Sequence, residues 1–270
     1  MRLYSLVVYV FLYAPIAIIA LFSFNAGRHA SDFQGFSIQW YGRALNNPFV
    51  MDALETSLIV AFITATLASI LGTLAAVGLQ GLRGPARAIF DALIYIAVMI
   101  PGIVIGIATL IALVTVFDVM NPWIENLWGD ADNAPTLSMG RGSLIAAHTM
   151  FTMALVIIIV RARLGTLEQS LGEASADLYA TPLGTFRQVT LPLIAPAVLA
   201  GFLLSFTFSF DDFIIAFFVA GSETTLPIYI FSSIRRGVTP EINAIGTMVM
   251  LASLVLLIVA QLILRRGDRT

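Results

Sequence analysis

The chain alternates between long apolar segments and short polar ones. Six apolar segments are as long as, or somewhat longer than, the roughly 17–25 residues with which an α-helix crosses about 30 Å of hydrocarbon. The polar segments between them hold most of the charged residues and are predicted to be loops at the two membrane surfaces. The predicted spans are residues 3–24, 57–79, 88–117, 144–160, 195–220 and 244–264.

The composition indicates that the bilayer is the solvent. Hydrophobic residues make up 59% of the chain and charged residues 11%, which leaves too little polar surface for a soluble domain. Because backbone amides cannot stay unpaired in lipid, and because the apolar runs lack the alternating polarity of barrel strands, the spans are predicted to be helices. We expect an all-α polytopic membrane protein with six transmembrane helices in a single domain, residues 1–270.

The positions of the arginines predict the orientation. All 14 basic residues are arginine, and the positive-inside rule favours both termini in the cytoplasm. The cytoplasmic arginines are then Arg2, Arg83, Arg87, Arg161, Arg163, Arg187, Arg265, Arg266 and Arg269, and the external ones are Arg28, Arg43, Arg141, Arg235 and Arg236. The external loops become acidic, with Asp32, Asp52, Glu55, Asp118, Glu125, Asp130, Asp132, Glu223 and Glu241.

A polar segment between the fourth and fifth spans, residues 164–192, is predicted to form two short cytoplasmic helices. Residues 164–180 are rich in Leu, Ala, Glu and Gln and contain no proline, which favours a helix. Pro182 ends that helix and can open a second one, because proline at the first helical position loses no amide hydrogen bond. Leu191 and Pro192 then lead into the fifth span. The pair is either a docking surface for a soluble partner or an amphipathic linker.

The same segment resembles the coupling loop of the membrane-spanning subunits of type I ABC importers. Their pattern, Glu-Ala-Ala, three residues, Gly, nine residues, Ile-x-Leu-Pro, is matched at Glu173, Ala174, Val189, Leu191 and Pro192. The resemblance implies a permease subunit that contacts a separate ATPase through Glu173, Ala174, Asp177, Pro182, Leu191 and Pro192.

Ser175 and Tyr179 depart from that pattern. Tyrosine replaces the glycine at the turn, and it does not adopt positive φ without cost. Either the turn is made differently here, or the first helix continues to Ala180 and bends at Pro182.

Residues 147–149, 209–212, 224–229 and 232–243 resemble spermidine/putrescine permeases of the PotC type. That resemblance implies import of polyamines by alternating access. It also implies a homologous second permease, an ATPase dimer that holds ATP and Mg, and an extracytoplasmic substrate-binding protein. Gly102 is a departure, because many polyamine permeases carry an acidic residue at this position. The same machinery with another small solute, such as an opine, an amino acid derivative or ferric ion, therefore stays open.

Two adjacent carboxylates, Asp211 and Asp212, lie deep in the fifth predicted span. Each would cost about 2.5–3.5 kcal/mol if it faced lipid, so both should face protein or water. In a continuous helix Asp212 falls on a stripe of small and polar residues, whereas Asp211 shares its face with bulky aliphatic ones. Asp212 is thus predicted as the better candidate to line a cation pathway, with a structural brace as the alternative for either residue.

Three further polar residues allow two interpretations each. Glu223 and Glu241 lie in predicted external loops and could form an acidic vestibule beneath a binding protein, or be ordinary exposed carboxylates. His148 in the fourth span is predicted to be a packed, hydrogen-bonded histidine rather than a substrate ligand.

Motifs for chemistry on this chain are absent from its sequence. It has no phosphate-binding Gly-x-x-x-x-Gly-Lys-Ser/Thr loop, no lysine and no cysteine, and it has two histidines, so neither ATP hydrolysis nor a metal site is predicted here. We expect a multi-pass subunit of a bacterial inner membrane that is not an enzyme, holds no cofactor and binds no nucleic acid. An ion-coupled secondary carrier, with Asp211 and Asp212 as protonation sites, is the rival that residues 164–192 argue against.

Overall fold

A computed structural model describes residues 2–29, 32–129 and 133–267, and within these ranges the regular structure is helical. Asp130, Asp132 and Arg269 are among the charged residues that predict the orientation, and they lie outside the described residues. The α-helices are α1 (Arg2–Phe22), α2 (Gln39–Asn46), α3 (Pro48–Gly78), α4 (Gly84–Met99), α5 (Gly102–Trp128), α6 (Arg141–Leu164), α7 (Gln169–Asp177), α8 (Pro182–Thr185), α9 (Leu191–Asp211), α10 (Ile214–Val219), α11 (Leu226–Ile234) and α12 (Pro240–Gly267). A 3₁₀ turn (Leu79–Gly81) extends α3, and a π-helical turn (Phe186–Thr190) joins α8 to α9.

Five helical segments of the described chain are long and apolar enough to cross a membrane. They are Tyr4–Phe22, Pro48–Gly81, Gly102–Trp128, Arg141–Leu164 and Pro182–Asp211. The sixth predicted span lies within α12, which has 28 residues and includes the apolar stretch Pro240–Val255. The protein is therefore an all-α polytopic membrane protein, as predicted.

The third predicted span, residues 88–117, is not one helix. It divides into α4 and α5 at Ile100–Pro101, where Ile100 is extended with φ −67° and ψ 133°. Proline has no amide hydrogen and disfavours helical backbone in the residue before it, so it ends α4. The membrane-crossing part is α5, which starts at Gly102.

The fifth predicted span, residues 195–220, is also interrupted. Helix α9 ends at Asp211, Asp212 is extended with φ −71° and ψ 121°, and α10 starts at Ile214. No proline or glycine lies at this break, so its cause is tertiary and is described with the site below. The continuous helix on which Asp212 was ranked above Asp211 is thus wrong.

Residues Thr56–Glu223 form one of two compact units. Its core surrounds α6 and includes side chains of α3, α4 and α9, among them Ala68, Ile94, Val156, Val160 and Ile194. Helix α10 packs against α5 and α6.

Val156 packs closely between two glycines, one on α3 and one on α9. A Cβ atom added to Gly72 on α3 would lie 2.8 Å from Val156 Cβ, and one added to Gly201 on α9 would lie 3.2 Å from Val156 Cγ1. Small residues let helix backbones approach closely, which is the usual way that transmembrane helices associate.

The other unit comprises Met1–Glu55 and Thr224–Thr270. In it α1, α2 and α11 pack against α12. Buried Asn25 organises the turn after α1, since its amide donates to the carbonyl oxygens of His29 (3.0 Å) and Asp32 (2.7 Å). Trp40 on α2 closes the turn by donating to the Asn25 carbonyl at 2.8 Å. The prediction of a single domain for residues 1–270 stays a prediction.

Candidate functional site

The break between α9 and α10 is held by a polar cluster. Asp212 Oδ2 accepts a hydrogen bond from Ala216 N at 2.9 Å, so Asp212 caps the first turn of α10. The same oxygen lies 3.4 Å from Nε2 of His148 on α6. His148 Nδ1 is hydrogen bonded to Ser209 Oγ at 2.8 Å. Helix α9 therefore stops where Asp212 turns away to cap the next helix.

His148 is almost completely buried, with 2% of its side chain exposed. As predicted, it is a packed and hydrogen-bonded histidine. Its pairing with Asp212 was not predicted, because the two residues are far apart in sequence and no spacing rule connects them. Asp212 itself is 22% exposed, and both of its structural contacts fit the brace that the sequence left open.

Asp211 is placed differently from Asp212. It is the last residue of α9 and its side chain is exposed. In the part of the chain that the structure describes, its carboxylate has no hydrogen bond or ion pair. The preference for Asp212 in a cation pathway stays a prediction.

Glu223 belongs to an ion pair that joins two helix ends. Arg141 Nε, at the start of α6, donates to Glu223 Oε2 at 3.1 Å, and Arg141 Nη2 donates to Thr56 Oγ1 at 3.2 Å. The Glu223 side chain is 31% exposed. Gly221 brings this loop against residue 139, because its φ of 60° and its closeness to the Met139 carbonyl leave no room for a side chain.

Glu241 lies in the first turn of α12, where a carboxylate is favoured by the helix dipole. Asn47 Nδ2 donates to Glu241 Oε1 at 3.0 Å and lies 3.3 Å from Tyr229 OH. Glu223 and Glu241 are in different units of the chain, so whether they share one vestibule stays a prediction.

The predicted coupling segment, residues 164–192, is a helical hairpin. Helix α6 continues to Leu164, and α7 covers only Gln169–Asp177 instead of the predicted 164–180. Ser175 Oγ and Thr185 Oγ1 are hydrogen bonded at 2.9 Å, which joins α7 to α8. Thr181 caps α8 by accepting from Gly184 N at 3.1 Å.

The turn between α7 and α8 is made at Tyr179, in the conformation that glycine adopts most easily. Its φ is 58°, and among the described residues it is the only one other than glycine with positive φ. Tyr179 N donates to Ala176 O and Ala180 N donates to Ser175 O, which is the hydrogen-bond pattern of a Schellman motif. The extension of the first helix to Ala180 is therefore wrong.

The surface of this hairpin is both acidic and apolar. Glu173, Ala174, Asp177, Pro182 and Pro192 are exposed, and Leu191 is half-buried against the core around α6. Leu178, Tyr179 and Leu183 are 82%, 95% and 75% exposed. A cavity of about 660 Å³ lies behind α7, lined by Arg87, Arg161, Glu168, Leu171 and Leu193, among others.

Asp91 is a charged residue that the sequence analysis did not single out. It lies on α4, accepts a hydrogen bond from Arg161 Nη1 and is 3.8 Å from Arg87 Nε. The sequence did contain a signal for this ion pair, because Asp91 is a single carboxylate in an apolar run and follows an arginine by four residues. The cluster ties α4 to α6 beside the cavity.

Comparison with known proteins identifies the family. Residues 68–270 match the family described as "Binding-protein-dependent transport system inner membrane component". The chain belongs to this family. It is thus the inner membrane component of a transport system rather than an enzyme, as predicted, and the ion-coupled carrier is removed as an alternative.

Relatives and solved structures agree over nearly the whole chain. The spermidine/putrescine permease PotC of Haemophilus influenzae is 37% identical over 98% of this chain and 96% of its own length. The putrescine permease PotI of Escherichia coli is 37% identical over 97% of this chain and 89% of its own. A bacterial alginate ABC transporter, solved with a periplasmic protein that holds an alginate pentasaccharide, has a chain with a TM-score of 0.74 and 15% identity, covering 100% of this chain and 94% of that one.

Proposed function

We propose that this chain is a permease subunit of an ABC importer for polyamines such as spermidine and putrescine. The observation that carries the proposal is its similarity, over nearly the full length, to a spermidine/putrescine permease. Two carboxylates lie at the helix break, Asp211 as the last residue of the apolar segment Pro182–Asp211 and Asp212 directly after it, and they supply negative charge there. A negative site inside a membrane pathway attracts ammonium groups and repels anions.

The energy for transport comes from partner chains. A dimeric ATPase that binds ATP and Mg contacts the hairpin 164–192, through Glu173, Ala174, Asp177, Pro182, Leu191 and Pro192. Closure of the ATPase dimer moves this hairpin and rocks the subunit against a homologous second permease between inward-facing and outward-facing states. No cofactor is needed on this chain.

An extracytoplasmic binding protein delivers the substrate on the other side of the membrane. Glu223 and Glu241 belong to the surface that receives it, with both chain termini in the cytoplasm. Both carboxylates also have hydrogen-bond partners within the chain, Arg141 at Glu223 and Asn47 at Glu241. Arg141 neutralises part of the charge at Glu223.

The substrate is tested on the whole transporter. Proteoliposomes that contain both permeases and the ATPase, supplied with the cognate binding protein, should take up labelled spermidine or putrescine only when ATP is present. The binding protein is screened in parallel against polyamines, opines, amino acid derivatives and ferric ion, because Gly102 replaces an acidic residue of many polyamine permeases. High-affinity binding of another solute, with no polyamine uptake, would overturn the assignment of cargo and leave the family unchanged.

A further inference from the structure

A charged cavity and an apolar groove meet at the ends of two membrane-crossing segments. The cavity is the one of about 660 Å³ behind α7, and the groove, of about 430 Å³, lies between α3, α4 and α6. Leu79 and Ile94 line both, so the two spaces adjoin. The segments Pro48–Gly81 and Arg141–Leu164 both end here. The cavity therefore lies at a membrane surface, where the phosphate groups of lipids lie, and the groove extends from it along the helices.

Two arginines bring their guanidinium groups to the cavity, Arg87 from α4 and Arg161 from α6. Asp91 contacts both, because it accepts a hydrogen bond from Arg161 Nη1 and its Oδ2 lies 3.8 Å from Arg87 Nε. A guanidinium group has five N–H donors. In the part of the chain that the structure describes, Asp91 is the acceptor for this pair, so most of the donors of both side chains remain for a ligand.

A phosphate group suits this pair of arginines. Arginine binds phosphate through two parallel N–H···O hydrogen bonds, which are stronger than hydrogen bonds between neutral groups. Glu168 is the other charged side chain among the described lining residues, and it is exposed to solvent. The formal charges of Asp91 and Glu168 balance those of the two arginines. Recognition of a phosphate here therefore depends on the guanidinium hydrogen bonds rather than on excess positive charge.

The groove has the lining and the length that an acyl chain requires. Its lining is apolar and includes Phe90 and Leu93 on α4 and Met150 and Met153 on α6. Met150 lies eleven residues before Arg161, which is roughly 16 Å along α6 at about 1.5 Å per residue. That distance is about half of a hydrocarbon core of roughly 30 Å. Methionine side chains are flexible and fill irregular apolar spaces, so they adapt to a lipid tail.

The arginines distinguish this groove from an ordinary lipid-facing surface. Phe90, Leu93 and Met150 are 46%, 56% and 65% exposed, as is usual for side chains that face hydrocarbon. An apolar surface of a second permease could cover such side chains equally well. It would leave the guanidinium donors at the end of the groove without a ligand. A molecule with a phosphate at one end and a hydrocarbon chain at the other satisfies both parts of the site.

We propose that one phospholipid binds at this site, with its phosphate on Arg87 and Arg161 and an acyl chain in the groove. Asp91 is a positioning residue that holds the two arginines at the cavity. Leu171 of α7 and Thr190 of the π-helical turn line the same cavity, so the bound head group lies against the coupling hairpin. The inference goes beyond the proposed function, because the lipid is a resident ligand and not the cargo.

The binding test uses the assembled complex of both permeases and the ATPase, delipidated in detergent. Native mass spectrometry follows its titration with palmitoyl-oleoyl phosphatidylglycerol. Diacylglycerol with the same chains lacks the phosphate, and glycerol phosphate lacks the chains. We expect the first phosphatidylglycerol to bind at least about tenfold more tightly than either of these molecules. Tight binding of glycerol phosphate alone would show a site for a soluble phosphate compound and would overturn the assignment to a lipid.

Two substitutions probe the two ends of the site separately. Arg87→Gln should weaken the binding of phosphatidylglycerol at least about fivefold, and it leaves the Asp91–Arg161 hydrogen bond in place. The matched control is Arg83→Gln, because Arg83 is exposed near the start of α4 and is not among the described lining residues.

Gly78→Leu should weaken the binding by filling the groove. A Cβ atom at Gly78 would meet no atom within 4 Å, and Gly78 lines the groove. Gly142→Leu is its control, since a Cβ atom there also meets open space but Gly142 is not among the groove residues described. Both controls should bind phosphatidylglycerol within about twofold of the wild type.

Three further results would overturn the inference. They are wild-type affinity in Arg87→Gln, wild-type affinity in Gly78→Leu, and diacylglycerol that binds as tightly as phosphatidylglycerol. If Gly78→Leu loses the second permease while its own helical circular dichroism is unchanged, the partner subunit occupies the groove instead of a lipid. None of these measurements depends on the cargo, so the proposed function stands or falls separately, by uptake.

Discussion

His148 on α6 and Asp212 beyond the end of α9 face each other, with Nε2 and Oδ2 3.4 Å apart. The contact fastens the break between α9 and α10 to the helix that forms the centre of the Thr56–Glu223 unit. Asp212 is thereby a capping residue as well as a charge, and the two roles respond differently to substitution.

Asp212→Ala should lower the thermal unfolding midpoint of the purified complex. It removes the acceptor for Ala216 N, and losing a helix cap costs about 0.5–2 kcal/mol. Asp212→Asn keeps an acceptor oxygen and should lower the midpoint less. Equal midpoints for Asp212→Ala and the wild type would show that the cap contributes nothing to stability.

Gly72→Ala should destabilise the protein by about 1–3 kcal/mol, the usual cost of overpacking a core. Its new methyl group would lie 2.8 Å from Val156 Cβ, whereas at Gly142 there is open space. Unfolding in a denaturant series measures the difference, and Gly142→Ala is the matched control. The double variant Gly72→Ala/Val156→Ala should recover part of the loss, and no recovery would contradict the proposed contact.

Tyr179→Gly should make the coupling hairpin more stable. A left-handed backbone costs an ordinary residue about 1–2 kcal/mol, and glycine does not bear this cost. Because the tyrosine side chain is 95% exposed, the substitution loses no packing within the chain. Hydrogen exchange at the Ala180 amide, which is bonded to Ser175 O, should become slower. Tyr179→Ala should not slow it, and equal slowing by both would refute this account.

Glu173→Arg should abolish ATP hydrolysis stimulated by the loaded binding protein, and uptake with it. Glu173 is exposed on α7, so reversing its charge alters the surface offered to the ATPase without disturbing the core. Thr166→Arg places the same side chain in the exposed turn before α7 and should leave both activities intact. Normal uptake by an assembled Glu173→Arg complex would remove this residue from the coupling surface.

Cysteine labelling of intact cells measures the orientation. Ser138→Cys should react with an impermeant thiol reagent, because residue 138 precedes α6 on the predicted external side. Gln188→Cys, exposed beside α8, should react only after the membrane is permeabilised. The opposite result would reverse the topology.

Apolar run length predicted where the chain crosses the membrane but not where helices stop within a run. Pro101 was a local signal for the end of α4, and it lay inside a run that hydropathy treats as continuous. The stop at Asp211 has no such signal, because it depends on the cap to Ala216 N and on His148 from another helix. Contacts between residues distant in sequence cannot be inferred from spacing.

In the coupling hairpin, residues 164–192, a local residue preference is outweighed by hydrogen bonds close by in the sequence. Residue preference argued against positive φ at Tyr179, yet the two hydrogen bonds of the Schellman turn outweigh it. The resemblance to a glycine-containing pattern predicted the position of this turn better than the residue itself did. Asp91 was missed because one carboxylate in an apolar run gives no indication of its arginine partner.

The seating of Val156 between Gly72 and Gly201 has a mechanical consequence. Helices α3, α6 and α9 cannot slide past one another unless the Val156 side chain leaves the space beside both glycines. We therefore expect these three helices to move as one rigid body. We expect bending to concentrate where the helices are already interrupted by extended backbone, at Ile100 and at Asp212. If a partner applies a force at the hairpin, we expect the three helices to rotate about Ile100 and Asp212, and Asp212 directly follows Asp211.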